Sequence, residues 1–238
     1  MALRLPFSQQ PSPPPPASTT PPPTSGEART ALAEAEQRFV QIFALVGEAI
    51  AGATHALLTG DREVAKSLVR QDEVVDNLCD EVADLVDAAL VRGVGTPAER
   101  RELVGILGML PDLERNGDLA EHIARRAARG LGAEMSPRSR GLVERMGEVA
   151  TTIWRATADA FADRVATAHH IEDIDDELDD LHVTLTAELV AGTMALPVSI
   201  ELAMVARFYE RFGDHAVNLA RRLVRVTASD ELARQPRS

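Results

Sequence analysis

Residues 112–118 read DLERNGD, and residues 210–214 read ERFGD. Both segments contain the pattern Glu-Arg-x-Gly-Asp, and the two copies lie 96 residues apart. An arginine cluster follows each copy at the same offset (Arg125, Arg126 and Arg129; Arg221, Arg222 and Arg225). A glycine inside a helix costs about 1 kcal/mol relative to alanine, which favours a packing reason for Gly117 and Gly213. The repeat therefore predicts one helical unit that occurs twice.

A second acidic pattern precedes the motif in each half, at an offset of 100 residues. It comprises Asp72, Asp76 and Asp80 in the first half and Glu172, Asp176 and Asp180 in the second. Pro97 and Pro197 also match at this offset. The two offsets differ by four residues, about one helical turn, so the added turn leaves the motif close to the same helix face.

The composition is that of a helical protein, because Ala, Leu, Val, Glu, Asp and Arg dominate and aromatic residues make up only 3%. Apolar spacing and Gly or Pro breaks predict six long helices over residues 30–58, 61–92, 97–130, 137–161, 163–191 and 197–226. We therefore predict an all-α protein of two tandem antiparallel three-helix bundles, over residues 30–131 and 132–228.

Both termini are predicted to be disordered, over residues 1–29 and 229–238. Nine of the 14 prolines lie between Pro6 and Pro23, among Ser, Thr and Gln. Such a Pro-rich tail contains too few apolar side chains to offset the entropy lost on folding.

Charge and cysteine content limit the classes of partner and compartment. The net charge of −12 argues against nucleic acid as a partner, because phosphate binding needs a positive field. A single cysteine, Cys79, and the lack of an apolar leader favour the cytoplasm. We see no apolar run long enough to span a bilayer, so we expect no membrane insertion.

Carboxylates at positions i, i+4 and i+8 lie along one face of a helix, where they repel each other. Two facing stripes would supply the several oxygen ligands that a hard cation needs. The predicted metal-binding residues are Asp72, Asp76, Asp80, Glu114 and Asp118 in the first bundle, and Glu172, Asp176, Asp180, Glu210 and Asp214 in the second. Two alternatives stay open: a metal-dependent phosphohydrolase, and a metal-free scaffold whose stripes pair with Arg115 and Arg211.

These residues resemble the PhoU family of bacterial phosphate-uptake regulators. The resemblance covers about residues 31–226 and is most specific at residues 112–118 and 210–218, the second of which reads ERFGDHAVN. It also includes the acidic pairs Asp72/Asp76 and Glu172/Asp176 and the order of the six helices. Asn116 departs from the family, which commonly has an apolar residue there.

The resemblance implies two PhoU-type bundles that bind a divalent or trivalent metal, with iron or zinc expected first and magnesium or manganese as further candidates. It implies a non-enzymatic cytoplasmic protein, which we expect to be a homodimer. Its implied partners are a phosphate-responsive sensor histidine kinase and the ATPase subunit of the phosphate ABC transporter. Its implied role is negative regulation of the phosphate-starvation response and restraint of phosphate uptake.

Overall fold

The computed structural model describes residues 25–163, 168–192 and 194–234. This part of the chain forms six α-helices: α1 (Ser25–Thr59), α2 (Arg62–Val91), α3 (Pro97–Arg129), α4 (Pro137–Asp163), α5 (Ala168–Ala191) and α6 (Leu196–Arg234). A short 3-10 helix, Leu131–Glu134, links the two halves, and no β-strand occurs in the described residues. The predicted all-α class is confirmed.

Capping residues define the helix ends within the first half. The Asp61 carboxylate accepts hydrogen bonds from the backbone N–H groups of Glu63 and Val64, at 3.1 and 3.0 Å, and so caps α2. Thr96 and Glu99 form a capping box at the start of α3. Gly130 ends α3 at a φ of 91°, a conformation that favours glycine.

The structure corrects the predicted limits of the terminal segments. α6 continues to Arg234, well beyond residue 226, because residues 227–234 include no helix breaker and the next proline is Pro236. At the other end, α1 begins at Ser25, and Ala28 is already fully buried. The rest of the predicted tail, residues 1–24, lies outside the described residues, as do residues 235–238.

The two halves share one hydrophobic core. α1, α2 and α3 pack on one another, as do α4, α5 and α6. α3 packs against α6 and α1 against α4, which joins the bundles into a continuous apolar cluster. An aromatic contact crosses this junction: Trp154 of α4 lies 5.0 Å from Phe43 of α1, measured between ring centroids, and 5.2 Å from Phe212 of its own half.

α1 corrects one prediction from composition. It contains an 18-residue stretch that is apolar enough, by length and composition, to cross a membrane. Phe39, Ile42 and Val46 of this helix are fully buried in the core, and the Thr54 hydroxyl lies 2.7 Å from the Tyr209 hydroxyl of α6. Burial within the protein accounts for the apolar composition of α1, so the stretch is weak evidence for a membrane span.

Candidate functional site

The first acidic cluster lies where α2 faces α3. Burial, together with repulsion by Asp76, Glu121 and Asp118, raises the pKa of Asp72 to about 7. The pKa of Glu114 is also raised, first by burial and then by Asp76 and Asp118. Four of the predicted residues are therefore neighbours in space, and Glu121, which the sequence reasoning missed, joins them.

Gly117 explains how α2 and α3 approach so closely at this cluster. A Cβ atom at this position would lie 3.1 Å from Asp72 Oδ1 and 3.2 Å from Val75 Cγ1. The absence of a side chain therefore leaves room for the Asp72 carboxylate against the α3 backbone. This is the packing reason that the sequence predicted for the motif glycine.

The second acidic cluster lies where α5 faces α6. Burial, together with repulsion by Asp179, Asp214 and Glu210, raises the pKa of Asp175 to about 7. A Cβ atom on Gly213 would overlap Asp175 Oδ1 and lie 3.1 Å from Leu178 Cδ1. Gly213 thus leaves room for the Asp175 carboxylate against α6, as Gly117 does for Asp72 against α3. The internal repeat makes the two clusters equivalent.

The structure brings the predicted stripe on α5 only partly to the second cluster: Glu172 and Asp176 line an open pocket with Asp175 and Asp214. Glu172 lies to one side, paired with Arg221 at 2.8 Å. Asp175 and Asp179 lie beside Glu210 and Asp214, although Asp179, like Asp176 and Asp180, is exposed. The physical reason is register: the glycine contacts match Asp72 to Asp175 and Val75 to Leu178, so α2 and α5 are related by 103 residues rather than 100. The buried residues Ile171, Leu178 and Leu185 are the sequence signal that defines this face.

The same register places Cys79 and His182 at equivalent positions. Cys79 is buried, and burial together with repulsion by Glu114, Asp76 and Asp80 raises the pKa of its thiol to about 12. His182 is close enough to Asp179 and Glu210 to lower the pKa of each. The two clusters therefore differ in one neighbouring side chain, a protonated thiol in the first and an imidazole in the second.

Arginines pair with the edges of the clusters. Arg125 lies 2.5 Å from Glu121, and Arg207 pairs with Glu210. Within the described ranges, neither Arg115 nor Arg211 forms an ion pair with a cluster carboxylate, although Arg115 lowers the pKa of Glu114. The arginines named in the metal-free alternative are therefore not the ones that pair with the stripes.

Several features of the second cluster suit a cation. Asp175 Oδ1 and Glu210 Oε2 are buried and have no hydrogen-bond partner among the described residues. Carboxylate oxygens are the ligands preferred by hard cations, and a cation would satisfy both atoms. As placed, however, no three His, Cys, Asp or Glu side chains of the described residues are close enough to enclose a metal ion. Binding would therefore require side-chain movement.

Comparison with known proteins agrees with this duplicated architecture. The model of the PhoU domain matches residues 39–127 and 143–223. The chain belongs to the PhoU family. It is 30% identical over 200 residues to phosphate-specific transport system accessory protein PhoU homolog 2 of Mycobacterium tuberculosis, covering 81% of this chain and 92% of that protein. It is 31% identical over 197 residues to PhoU homolog 1 of the same organism, covering 81% of this chain and 89% of that protein.

A solved structure of the family confirms the arrangement of the helices. The crystal structure of PhoU from Pseudomonas aeruginosa superposes with a TM-score of 0.79 at 26% identity. The match covers 84% of this chain and 99% of that one. The chain is therefore a PhoU-like member of a family of phosphate-transport accessory proteins, with six helices in the family's arrangement.

In this PhoU-family chain, a buried polar network joins the two bundles between the clusters. Asp112 of α3 is buried; its Oδ1 lies 3.1 Å from His215 Nδ1, and its Oδ2 accepts a hydrogen bond of 3.2 Å from Arg222 Nε. Asn116 Nδ2 donates to the Phe212 carbonyl at 3.3 Å. Asn116 and Phe212 are equivalent in the repeat, so the halves meet through matching positions. This explains Asn116, which binds the other bundle instead of packing as an apolar residue.

Proposed function

We propose that the chain is a regulatory accessory protein of a phosphate-specific transport system, and that a divalent or trivalent cation binds in each carboxylate cluster. The observation that carries the proposal is the crowding of partly buried carboxylates across two pairs of helices, with Asp72 and Asp175 each raised to a pKa of about 7. Such crowding destabilises the protein unless protons or a cation neutralise it.

The residues proposed to hold the cations differ from the predicted set in the second bundle. In the first bundle they are Asp72, Asp76, Glu114 and Asp118, with Asp80 and Glu121 at the margins. In the second they are Asp175, Asp179, Glu210 and Asp214. Iron and zinc are the first candidates, followed by magnesium and manganese. A cation would neutralise the repulsion and tie α2 to α3 and α5 to α6.

The proposed role is non-enzymatic and cytoplasmic. The bundle surface would contact the ATPase subunit of a phosphate ABC transporter and a phosphate-responsive sensor histidine kinase, as a homodimer. When phosphate is plentiful, these contacts would keep the kinase quiet and restrain uptake, which makes the protein a negative regulator of the phosphate-starvation response. The names of the relatives support the link to phosphate transport.

The test begins with the metal content of purified protein, measured by plasma mass spectrometry. The variant Asp175→Asn/Asp214→Asn removes one carboxylate from each helix of the second cluster. We expect it to lose about half of the bound metal, because the first cluster stays intact. Asp180→Asn is the matched control, since Asp180 lies on the exposed side of the same helix. It should retain the metal.

The same variants then test regulation. In cells whose own copy of the gene is deleted, we expect Asp175→Asn/Asp214→Asn to derepress a phosphate-starvation reporter at high phosphate, and Asp180→Asn to repress it. Equal metal in all three proteins would refute the cation sites. Unchanged repression by a metal-depleted variant would refute the link between metal and regulation. Turnover of phosphate esters by the metal-loaded protein would instead support the phosphohydrolase alternative.

A further inference from the structure

The buried stripe of α5 follows a spacing of three and four residues. Its buried members are all apolar: Ile171, Leu178, Leu185 and Leu189. Two partly exposed polar residues, Asp175 and His182, complete it. Asp175 lies against Gly213 of α6 in the second cluster, whereas His182 has no hydrogen-bond or ion-pair partner among the described residues. His182 is therefore an unpartnered polar side chain in line with the cluster.

The corresponding stripe of α2 lies 103 residues earlier and differs at this position. Its members are Leu68, Asp72, Val75, Cys79, Val82 and Val86. Asp72 corresponds to Asp175, so the acidic position is kept, but Cys79 stands where the second half has His182. Cys79 is 4% exposed and packs in the apolar core. The second half therefore places an imidazole beside its cluster at a position where the first half has a small buried side chain.

Another imidazole, His122, lies near the first cluster but is held differently. It is on α3, and its Nδ1 lies 2.6 Å from the carbonyl oxygen of Asp118. Its ring packs on Phe208 of α6, with 5.2 Å between the ring centroids. Asn218 is the equivalent residue in the second half, at the offset of 96. His122 is therefore not the counterpart of His182, and the two clusters differ in which helix supplies a nearby imidazole.

His182 lies at the end of the second cluster that Asp179 and Glu210 form. It follows Asp179 by three residues on α5, a spacing that makes their side chains neighbours. It is also near enough to Glu210 of α6 to lower the pKa of that carboxyl group. The Glu210 side chain is 13% exposed; Arg207 pairs with its Oε1, and its Oε2 is buried without a hydrogen-bond partner among the described residues. An unpartnered imidazole and an unpartnered carboxylate oxygen therefore lie at the same end of the cluster.

The spacing of these side chains matches a donor set that helical bundles use for metals. Such sites combine a carboxylate and a histidine three residues apart on one helix with carboxylates from a facing helix. Asp179 and His182 have this spacing, and Glu210 and Asp214 face them from α6. A neutral imidazole suits zinc and iron(II), whereas magnesium prefers carboxylate, carbonyl and water oxygens. The imidazole therefore favours a transition metal over a hard cation.

We propose that His182 is a ligand of the cation in the second cluster, beside Asp179 and Glu210. The assignment rests on the proposed function, because it takes cation binding at this cluster as given. The imidazole makes this cluster selective for zinc or iron(II) over magnesium. The first cluster has Cys79 at the matching position, so it lacks this imidazole. The two halves of the chain therefore differ in the cation that they prefer.

Metal titration of the full chain tests this assignment. Metal-free protein is titrated with zinc and, separately, with magnesium, and the binding step that Asp175→Asn/Asp214→Asn removes belongs to the second cluster. In His182→Asn we expect the zinc affinity of this step to fall at least about tenfold and the magnesium affinity to stay close to that of the wild type. His170→Asn is the matched control, because it removes an exposed imidazole from the same helix, about 18 Å away along its axis. It should bind both cations as the wild type does.

Nuclear magnetic resonance of the wild type gives a second readout that needs no variant. The ring signals of His182, one of six histidines, are assigned through bonds to its backbone. Zinc should shift these signals and remove their titration near neutral pH, because a nitrogen that holds a metal cannot also take up a proton. Saturating magnesium should leave the signals in place and still titrating, because it binds oxygen ligands.

Two results would overturn the assignment: a zinc affinity in His182→Asn equal to that of the wild type, or His182 ring signals that zinc does not move. In either case the second cluster can still bind a cation, so the proposed function would stand. A wild type that binds neither zinc nor magnesium at this cluster would overturn both. If His182→Asn fails to fold, judged by its circular dichroism, the ring signals of the wild type decide the question.

Discussion

Replacing Asp175 by asparagine should stabilise the metal-free protein at alkaline pH and destabilise the metal-loaded protein. The Asp175 carboxylate is partly buried beside Asp179, Asp214 and Glu210, which together with burial raise its pKa to about 7. Asparagine has nearly the same shape and no charge. Its amide nitrogen can also donate to a neighbouring carboxylate, which satisfies a position that is unpartnered in the wild type.

The sign of the effect follows from proton linkage. Between pH 4 and 7 the folded chain holds a proton on Asp175 that the unfolded chain has lost, so wild-type stability falls as the pH rises through this window. Above about pH 7 Asp175 is ionised in both the folded and the unfolded chain, so the loss of stability no longer changes with pH. Raising the pKa of Asp175 from about 4 to about 7 on folding would cost the ionised protein about 4 kcal/mol of stability. Because the side chain is partly exposed and screened by solvent, we expect a cost of about 1–2 kcal/mol.

The assay is urea unfolding of chelator-treated protein at pH 5 and pH 8. We compare the free energy of unfolding of Asp175→Asn with that of the wild type at each pH. The advantage of the variant should be about 1–2 kcal/mol larger at pH 8 than at pH 5. Asp180→Asn, on the exposed side of α5, should show a difference near zero at both pH values. With a saturating cation the order should reverse, because only the wild type keeps the full ligand set. A wild-type advantage that does not vary with pH would refute the reasoning.

Two further predictions concern the helix packing around the clusters. Gly213→Ala should fail to give the stabilisation of about 1 kcal/mol expected from helix propensity, and should weaken metal binding, because its Cβ atom overlaps Asp175 Oδ1. Gly141→Ala in α4 is the control, because its added Cβ atom would lie within 4 Å of no other atom, and it should gain that stability. If thermal unfolding showed the same gain for Gly213→Ala and Gly141→Ala, the packing argument would be contradicted. Asp112→Ala should cost about 2–3 kcal/mol in urea unfolding, because it leaves His215 and Arg222 without their shared carboxylate. A loss below about 0.5 kcal/mol would show that the network does not hold the bundles together.

The sequence was sufficient for the all-α class and for four residues of the first cluster, but it missed Glu121. Helix-forming composition, the capping box at Thr96 and the Gly130 end signal are local features, so six helices and most of their limits could be predicted without tertiary contacts. The Glu-Arg-x-Gly-Asp repeat indicated the duplication and both motif glycines. Asp72, Asp76, Glu114 and Asp118 were predicted as neighbours, and their raised pKa values or mutual repulsion agree with that placement.

The structure was needed where the answer depends on how one helix is rotated against another. A stripe of acidic residues can be drawn on α5 through Asp176 or through Asp175, and charge spacing alone does not distinguish the two. Packing of Leu178 against Gly213 decides it, because burying that side chain turns Asp175 and Asp179 towards α6. The contact of Asp112 with His215, 103 residues apart, likewise required the tertiary structure. Local sequence determines where helices begin, end and repeat, whereas their rotation about their own axes is set by contacts between residues far apart in the chain.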